Sequence, residues 1–138
     1  MPRNYYFDTS IWLDFFENRN EPKLPKGKLA HALIKNLIQK SNKIVYSDLT
    51  LSELEYVGYS LYELDEMFLP LKPFLIFLES TEKQIGKAKD LSAKRNVPKG
   101  DALHALIARD SKSILITRDI HFQKMLDIIK PVRPQEII

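Results

Sequence analysis

The stretch from Pro98 to Asp119, P-K-G-D-A-L-H-A-L-I-A-R-D-S-K-S-I-L-I-T-R-D, limits the fold more than any other part of the chain. Residues 102–110 read as a helix in which Ala102, Leu103, Ala105, Leu106, Ile107 and Ala108 leave little polar face. A helix that is apolar almost all round packs inside a protein. Lys112 and Ser113 turn the chain, and residues 113–117, S-I-L-I-T, follow as a short apolar run. Such a run is the mark of a strand covered on both faces, as in a parallel sheet. Arg118 and Asp119 come at its carboxyl end, where open α/β sheets hold their ligands. At the other end, Lys99-Gly100 breaks the preceding segment and Asp101 sits where the helix begins. A carboxylate is favoured there by free N–H groups and the helix dipole.

The rest of the chain repeats this alternation. Residues 4–7, N-Y-Y-F, are a first strand, apolar enough to be central, and Asp8 ends it. Thr9 or Ser10 can cap a helix over 11–17 with Ile11, Trp12, Phe15 and Phe16 in a stripe. Residues 18–27 contain Pro22, Pro25 and Gly27 and read as a loop, and 28–40 as an amphipathic helix. A second strand over 43–46 leads through Ser47 and Asp48 into a helix over 49–58. That helix is expected to continue to residue 69, kinked at Gly58-Tyr59 and closed by Pro70. A third strand spans 74–78, and Thr81 with Gln84 makes a capping box for a helix to Arg95 with Ile85, Ala88 and Leu91 inward. After Asp119 a short helix over 121–127 is expected, then an edge strand from Ile128, Ile129 and Val132, limited by Pro131 and Pro134. The fold class is therefore α/β: a three-layer sandwich with a central parallel sheet of four to five strands flanked by helices. All 138 residues fit one domain, with no repeat or linker.

Composition excludes several classes. With no Cys, disulfides and thiolate metal sites are ruled out, and a cytoplasmic setting fits. No apolar run is long enough to span a bilayer, so no membrane partner is expected. The strand-like start leaves no room for a signal peptide. Setting aside four of the 18 acids leaves 14 against 21 Lys and Arg. A surface of that balance suits a polyanion.

Four acids occupy comparable places. Asp8 ends the first strand, Glu53 lies on the helix fed by the second, Asp101 starts the buried helix, and Asp119 follows the fourth strand. Right-handed crossovers bring such ends to one edge of the sheet. Carboxylates gathered there repel one another unless a cation intervenes. Oxygen ligands without Cys favour a hard cation, Mg²⁺ or Mn²⁺. A cation held this way equips a site for phosphodiester hydrolysis, and no Cys or Ser–His pair near the acids offers another nucleophile than water. Glu55, two positions on at about 100° per residue, lies on roughly the opposite side of the helix from Glu53.

These residues also resemble a known family. Asp8-Thr9-Ser10-Ile11-Trp12, Ser47 with Leu49-Thr50-Leu51-Ser52-Glu53-Leu54, Gly100-Asp101-Ala102-Leu103-His104-Ala105 and Ile116-Thr117-Arg118-Asp119-Ile120-His121-Phe122 are similar to the ordered motifs of PIN domains. Within that family they are similar to the VapC-type ribonuclease toxins. The tail Pro134-Gln135-Glu136-Ile137-Ile138 looks like the family's closing strand. The resemblance implies a Mg²⁺- or Mn²⁺-dependent endoribonuclease cutting single-stranded RNA. It makes Asp8, Glu53, Asp101 and Asp119 both catalytic and metal-binding, with Thr9 or Ser10 and Thr117 as neighbouring hydroxyls. It also implies an antitoxin partner, docked near the helices at 11–17 and 49–69 around Tyr56, Tyr59, Tyr62 and Phe68, with a homodimer through the same face as the alternative.

Each residue has a plainer reading. Asp8 and Asp101 are ordinary helix-cap positions and Asp119 an ordinary turn residue. His104, three residues beyond Asp101 on the same face, reads as a packed histidine bonded locally, and His121 as a surface residue. Arg118 reads equally as a phosphate contact or a solvated side chain. Two other functions compete: a PIN-like module that binds RNA or protein without cutting, and a phosphoryl-transfer domain. The second needs another acid beside Asp8 and a late lysine, where Thr9-Ser10 and Arg118-Asp119 stand instead.

Overall fold

The structure, a computed structural model, describes residues 2–138. Five strands form one sheet in the order β3-β2-β1-β4-β5. They are β1 (Asn4–Phe7), β2 (Lys43–Ser47), β3 (Leu75–Leu78), β4 (Ile114–Ile116) and β5 (Pro131–Val132). Every pairing is parallel, and β1 is central, as its aromatic and apolar sequence implies. The helices are α1 (Thr9–Glu17), α2 (Lys26–Gln39), α3 (Asp48–Val57), α4 (Leu61–Phe68), α5 (Glu82–Arg95) and α6 (Lys99–Asp110).

Alternation along the strands sorts side chains into two cores, one on each face of the sheet. Tyr5, Phe7 and Ile44 pack with Ile11, Trp12, Leu33, Leu37, Leu54 and Phe68, beneath α1 to α4. Tyr6, Val45 and Leu115 point the other way and pack with Ala88, Leu91, Ala102, Leu106 and Phe122, beneath α5 and α6. Burial on both faces explains why these strands read as continuous apolar runs.

The chain steps outward from β1 to β2 to β3, then returns to lay β4 against the other side of β1. The reversal puts a crevice at the carboxyl end of β1. Phe7 is in register with Ile116, and the Asp8 N–H donates to the Ile116 carbonyl at 3.0 Å. The residues after β1 and after β4 are thus neighbours although 109 positions separate Asp8 from Thr117.

Several local expectations are corrected. Asp8 itself stands at the cap position of α1, ahead of Thr9 and Ser10, and its carboxylate makes no cap bond. The helix expected over 49–69 is two helices. Gly58 has φ +126°, a conformation glycine adopts readily, and Ser60 caps α4 in a box with Glu63. Residues Leu69–Phe74, with Pro70 and Pro73, wind as 3₁₀. Ile85 faces solvent on α5, whereas Ala88 and Leu91 are buried as expected. The turn after Asp119 is 3₁₀ over Ile120–Met125, and β5 contains only Pro131 and Val132, without Ile128 or Ile129. The expected closing strand at 134–138 is absent: Pro134–Glu136 is a 3₁₀ turn, with Pro134 in the first position where its missing N–H costs nothing. Phe68 is buried and stacked on Tyr46, 4.8 Å between centroids, so it is core and no part of a docking face. Trp12 is likewise fully buried.

Candidate active site

Asp8 reaches the crevice because β1 ends there, and two hydroxyls fix it. Thr117 donates to Asp8 Oδ2 at 2.8 Å and Ser10 donates to the same oxygen at 3.1 Å. Thr117 is the first residue past β4, and its Oγ1 also accepts the Asp119 N–H at 3.0 Å. One threonine therefore couples the acid after β1 to the acid after β4. Asp119 in turn caps the following 3₁₀ turn, accepting the His121 N–H at 2.9 Å. That cap swings the His121 ring back over the acids. Its Nδ1 lies 3.0 Å from Asp101 Oδ2 and 2.9 Å from Asp119 Oδ1. His121 lies at the surface as expected, its side chain 42% exposed, but it is turned onto the acids.

Glu53 arrives from α3, whose start is fixed by Ser47. The Ser47 hydroxyl accepts from the Thr50 N–H, the Thr50 hydroxyl accepts from the Ser47 N–H, and Ser47 Oγ also bonds Tyr6 Oη at 2.7 Å. Thr9 donates to Glu53 Oε1 at 2.6 Å, and His104 Nε2 lies 2.5 Å from the same oxygen. Gly100 leaves room for this carboxylate: a Cβ there would stand 2.7 Å from Glu53 Oε2. Glu55 is exposed, as its helical position implies.

His104 is fully buried, but its partners are not local. Nδ1 bonds Tyr6 Oη at 2.5 Å, while Nε2 faces Glu53 and Thr9 and lies 3.9 Å from Asp8 Oδ1. Burial works against its charge, yet the hydrogen bond to Glu53 and the charges of Asp8, Glu53 and Asp101 outweigh it and hold the imidazolium above its ordinary pKa. Glu53 shifts in the opposite sense. Burial acts to raise it, but the bond and charge of His104 and the Thr9 hydroxyl bring it below the usual carboxylate range.

Asp101 lies in the first turn of α6, past Pro98 at the cap position. Burial, then the charges of Asp119 and Asp8, push its pKa up to about 7, against the His121 hydrogen bond. A carboxyl group raised by other carboxylates is one whose surroundings favour added positive charge. Asp101, Asp119 and His121 also each offer a ligand atom, and those atoms lie within 4.8 Å of one another. The donor set, oxygen-rich with one imidazole, fits a divalent cation of the Mg²⁺ or Mn²⁺ type. Asp8, Glu53 and Asp119 share the wall of a cavity of about 470 Å³ that opens beside this group.

All four acids named from the sequence thus meet at one edge of the sheet. The family model described as "PIN domain" matches residues 5–126. The chain belongs to the PIN domain family. No curated protein matches it in sequence. Solved structures share its fold. VapBC-1 from nontypeable Haemophilus influenzae is 22% identical with a TM-score of 0.66, over 96% of this chain and 98% of that one. A toxin–antitoxin complex from Klebsiella pneumoniae is 21% identical with a TM-score of 0.61, over 94% and 97%. VapBC2 from Rickettsia felis, bound to a DNA fragment from its promoter, is 20% identical with a TM-score of 0.61, over 94% and 98%.

Sequence reasoning missed two participants in this PIN domain site. The spacing of His104 from Asp101 was visible, but its bonds to Tyr6, Thr9 and Glu53 span 98, 95 and 51 positions. His121 had a signal in retrospect, since Asp119 can cap the turn that carries it. Arg118 is neither solvated nor in contact with an anion by hydrogen bonding. Its guanidinium nitrogens are enclosed without hydrogen-bond partners, and Asp14 Oδ2 is 3.8 Å away.

Proposed function

We propose that this PIN domain is an endoribonuclease that hydrolyses single-stranded RNA with Mg²⁺ or Mn²⁺, and that it serves as the toxin of a toxin–antitoxin pair. The observation that carries the reading is the meeting of Asp8, Glu53, Asp101 and Asp119 at one edge of the sheet, three of them in the wall of one open cavity, with the Asp101 pKa pushed up to about 7 by burial and by the charges of Asp119 and Asp8. A scaffold gains nothing from gathering like charges, which favours this reading over a module that binds without cutting.

Asp101, Asp119 and His121 would hold the cation, with Asp8 and Glu53 completing the acidic wall. When bound, such a cation neutralises the carboxylates, polarises a phosphoryl oxygen and eases ionisation of water. The chain's own residues prepare the place. Thr117 and Ser10 orient Asp8, while Thr9 and His104 hold Glu53 charged. Without a cation a proton is retained at Asp101, next to Asp119. The excess of 21 Lys and Arg over 14 acids elsewhere supplies salt-sensitive attraction for RNA.

An antitoxin is the partner we assign. The three similar solved structures named above are described as a toxin–antitoxin complex or as VapBC, and α4 exposes Leu61 and Tyr62, with Leu69 following, as apolar surface for a protein helix. A homodimer through this face is the alternative assembly. The function is tested by incubating the purified chain with single-stranded RNA. Internal cleavage is expected with Mn²⁺, none in EDTA, and none in Asp8→Asn or Asp101→Asn that keep the parent's fold by circular dichroism. Cleavage that persists in EDTA would contradict the reading.

A further inference from the structure

Two cavities meet at Asp119, and their walls differ in kind. The first, beside Asp8 and Glu53, is walled by Leu13, Tyr56 and Val57. The second, about 540 Å³, is walled by Arg118, Lys130 and Arg133, with Glu136 paired to Arg133 at 3.1 Å. An apolar and aromatic recess thus lies on one side of the acids, and on the other a mixed recess that holds Lys130 beside the Arg133–Glu136 ion pair. Tyr56 is 93% exposed although it belongs to a wall of the active-site cavity. It follows Glu53 by three positions, so the two share one face of α3. A ring left bare at such a place lacks the burial that would explain it as core.

We infer that Tyr56 is a stacking platform for the nucleobase next to the scissile phosphate. The inference rests on the nuclease reading above. A single strand is amphipathic in the same sense as these two cavities: its bases are apolar π-faces and its backbone is anionic. Laid across the acids, it puts a base against Tyr56 and turns the following phosphates toward Lys130, over the enclosed charge of Arg118. A base held in a duplex has its faces covered by neighbours, so the platform selects single-stranded substrate. Stacking is sequence-tolerant, so Tyr56 confers strandedness more than sequence preference.

The test is a coupling measurement between protein and substrate. Single-stranded RNAs on the order of ten nucleotides long, within the usual span of such sites, are made with one base removed at successive positions around the cut. KM and kcat are measured with Mn²⁺ for the parent, Tyr56→Phe and Tyr56→Ala. In the parent, one abasic position adjacent to the cut raises KM by about tenfold, the scale of one lost stack. Tyr56→Ala raises KM for the intact strand by a similar factor and becomes indifferent to that abasic position, while kcat changes little. Tyr56→Phe behaves as the parent. If Tyr56→Ala keeps the parent's full response to every abasic position, the inference is overturned. That result together with a changed native mass of the assembly would assign the ring to a protein interface. Absence of any RNA cleavage by the parent would remove the nuclease reading and this inference with it, whereas cleavage without coupling removes this inference alone.

Discussion

Three titrating residues give the metal-free protein a pH signature. Asp101 holds its proton up to about pH 7 in the folded state, whereas the unfolded chain releases it in the ordinary carboxylate range. The folded state then binds more protons, so stability falls as pH rises through that interval. His104 acts in the same direction: its raised pKa gives stability that is complete below the ordinary imidazole value and is lost as pH rises through the folded one. Glu53 opposes them only in acid, its contribution disappearing as pH falls through its lowered pKa. Melting temperature without metal should therefore decline from about pH 4, where the unfolded carboxyl ionises, to about 7, where folded Asp101 gives up its proton, with the His104 part lost as pH rises beyond the ordinary imidazole value. Asp101→Asn should shallow the decline and leave the His104 part. A flat profile in the parent would contradict these assignments. Gly100 provides a second test. Gly100→Ala improves helix propensity, worth about 0.5–1 kcal/mol, but its Cβ meets the Glu53 carboxylate. Unfolding midpoint should hold or rise while cleavage falls, a split that simple loss of folding would not produce.

Among the elements, α3 bears most directly on the site, because its start fixes Glu53. Ser47 is fully buried, caps α3 and bonds Tyr6, which in turn bonds His104. Ser47→Ala removes a cap and leaves a buried hydroxyl short of a partner, so a loss of about 2 kcal/mol is expected from urea unfolding, with cleavage reduced through Glu53. The first four strands and the acids Asp8 and Asp119 just past strand ends were legible from local rules, whereas Glu53 and Asp101, which lie on helices, stood out through the family resemblance as well. Apolar runs mark strands covered on both faces, and acids at their carboxyl ends mark the binding edge. What was illegible depended on tertiary partners. Nothing local told that His104 would bond residues of β1, α1 and α3, or that Phe68 would turn inward onto Tyr46. The tail failed for a different reason. Its Ile137-Ile138 pair reads as strand, but Pro134 starts a 3₁₀ turn and Glu136 bonds back to Arg133.

Across the whole molecule, the reversal of strand order at β1 brings acids from four separate segments to one edge, with a basic surplus elsewhere. Among the described residues no helix is long and apolar enough to cross a membrane. The charge balance predicts that RNA affinity falls as salt rises, read from KM in increasing KCl, and that the fall is present in Tyr56→Ala as well, since phosphate attraction does not depend on the ring. The central claim is that the acidic edge binds a divalent cation, with Asp101, Asp119 and His121 as its nearest donors and Asp8 and Glu53 beside them. It is tested most directly by titrating Mn²⁺ into the metal-free protein and reading bound ion by electron paramagnetic resonance. The account predicts saturable binding that strengthens as pH rises toward and past about 7, where Asp101 gives up its proton, and that weakens at least about tenfold in Asp101→Asn, the usual scale of losing a ligand or its close support. Binding of equal strength in the parent and in Asp101→Asn, or no binding in the parent at any pH, would contradict it.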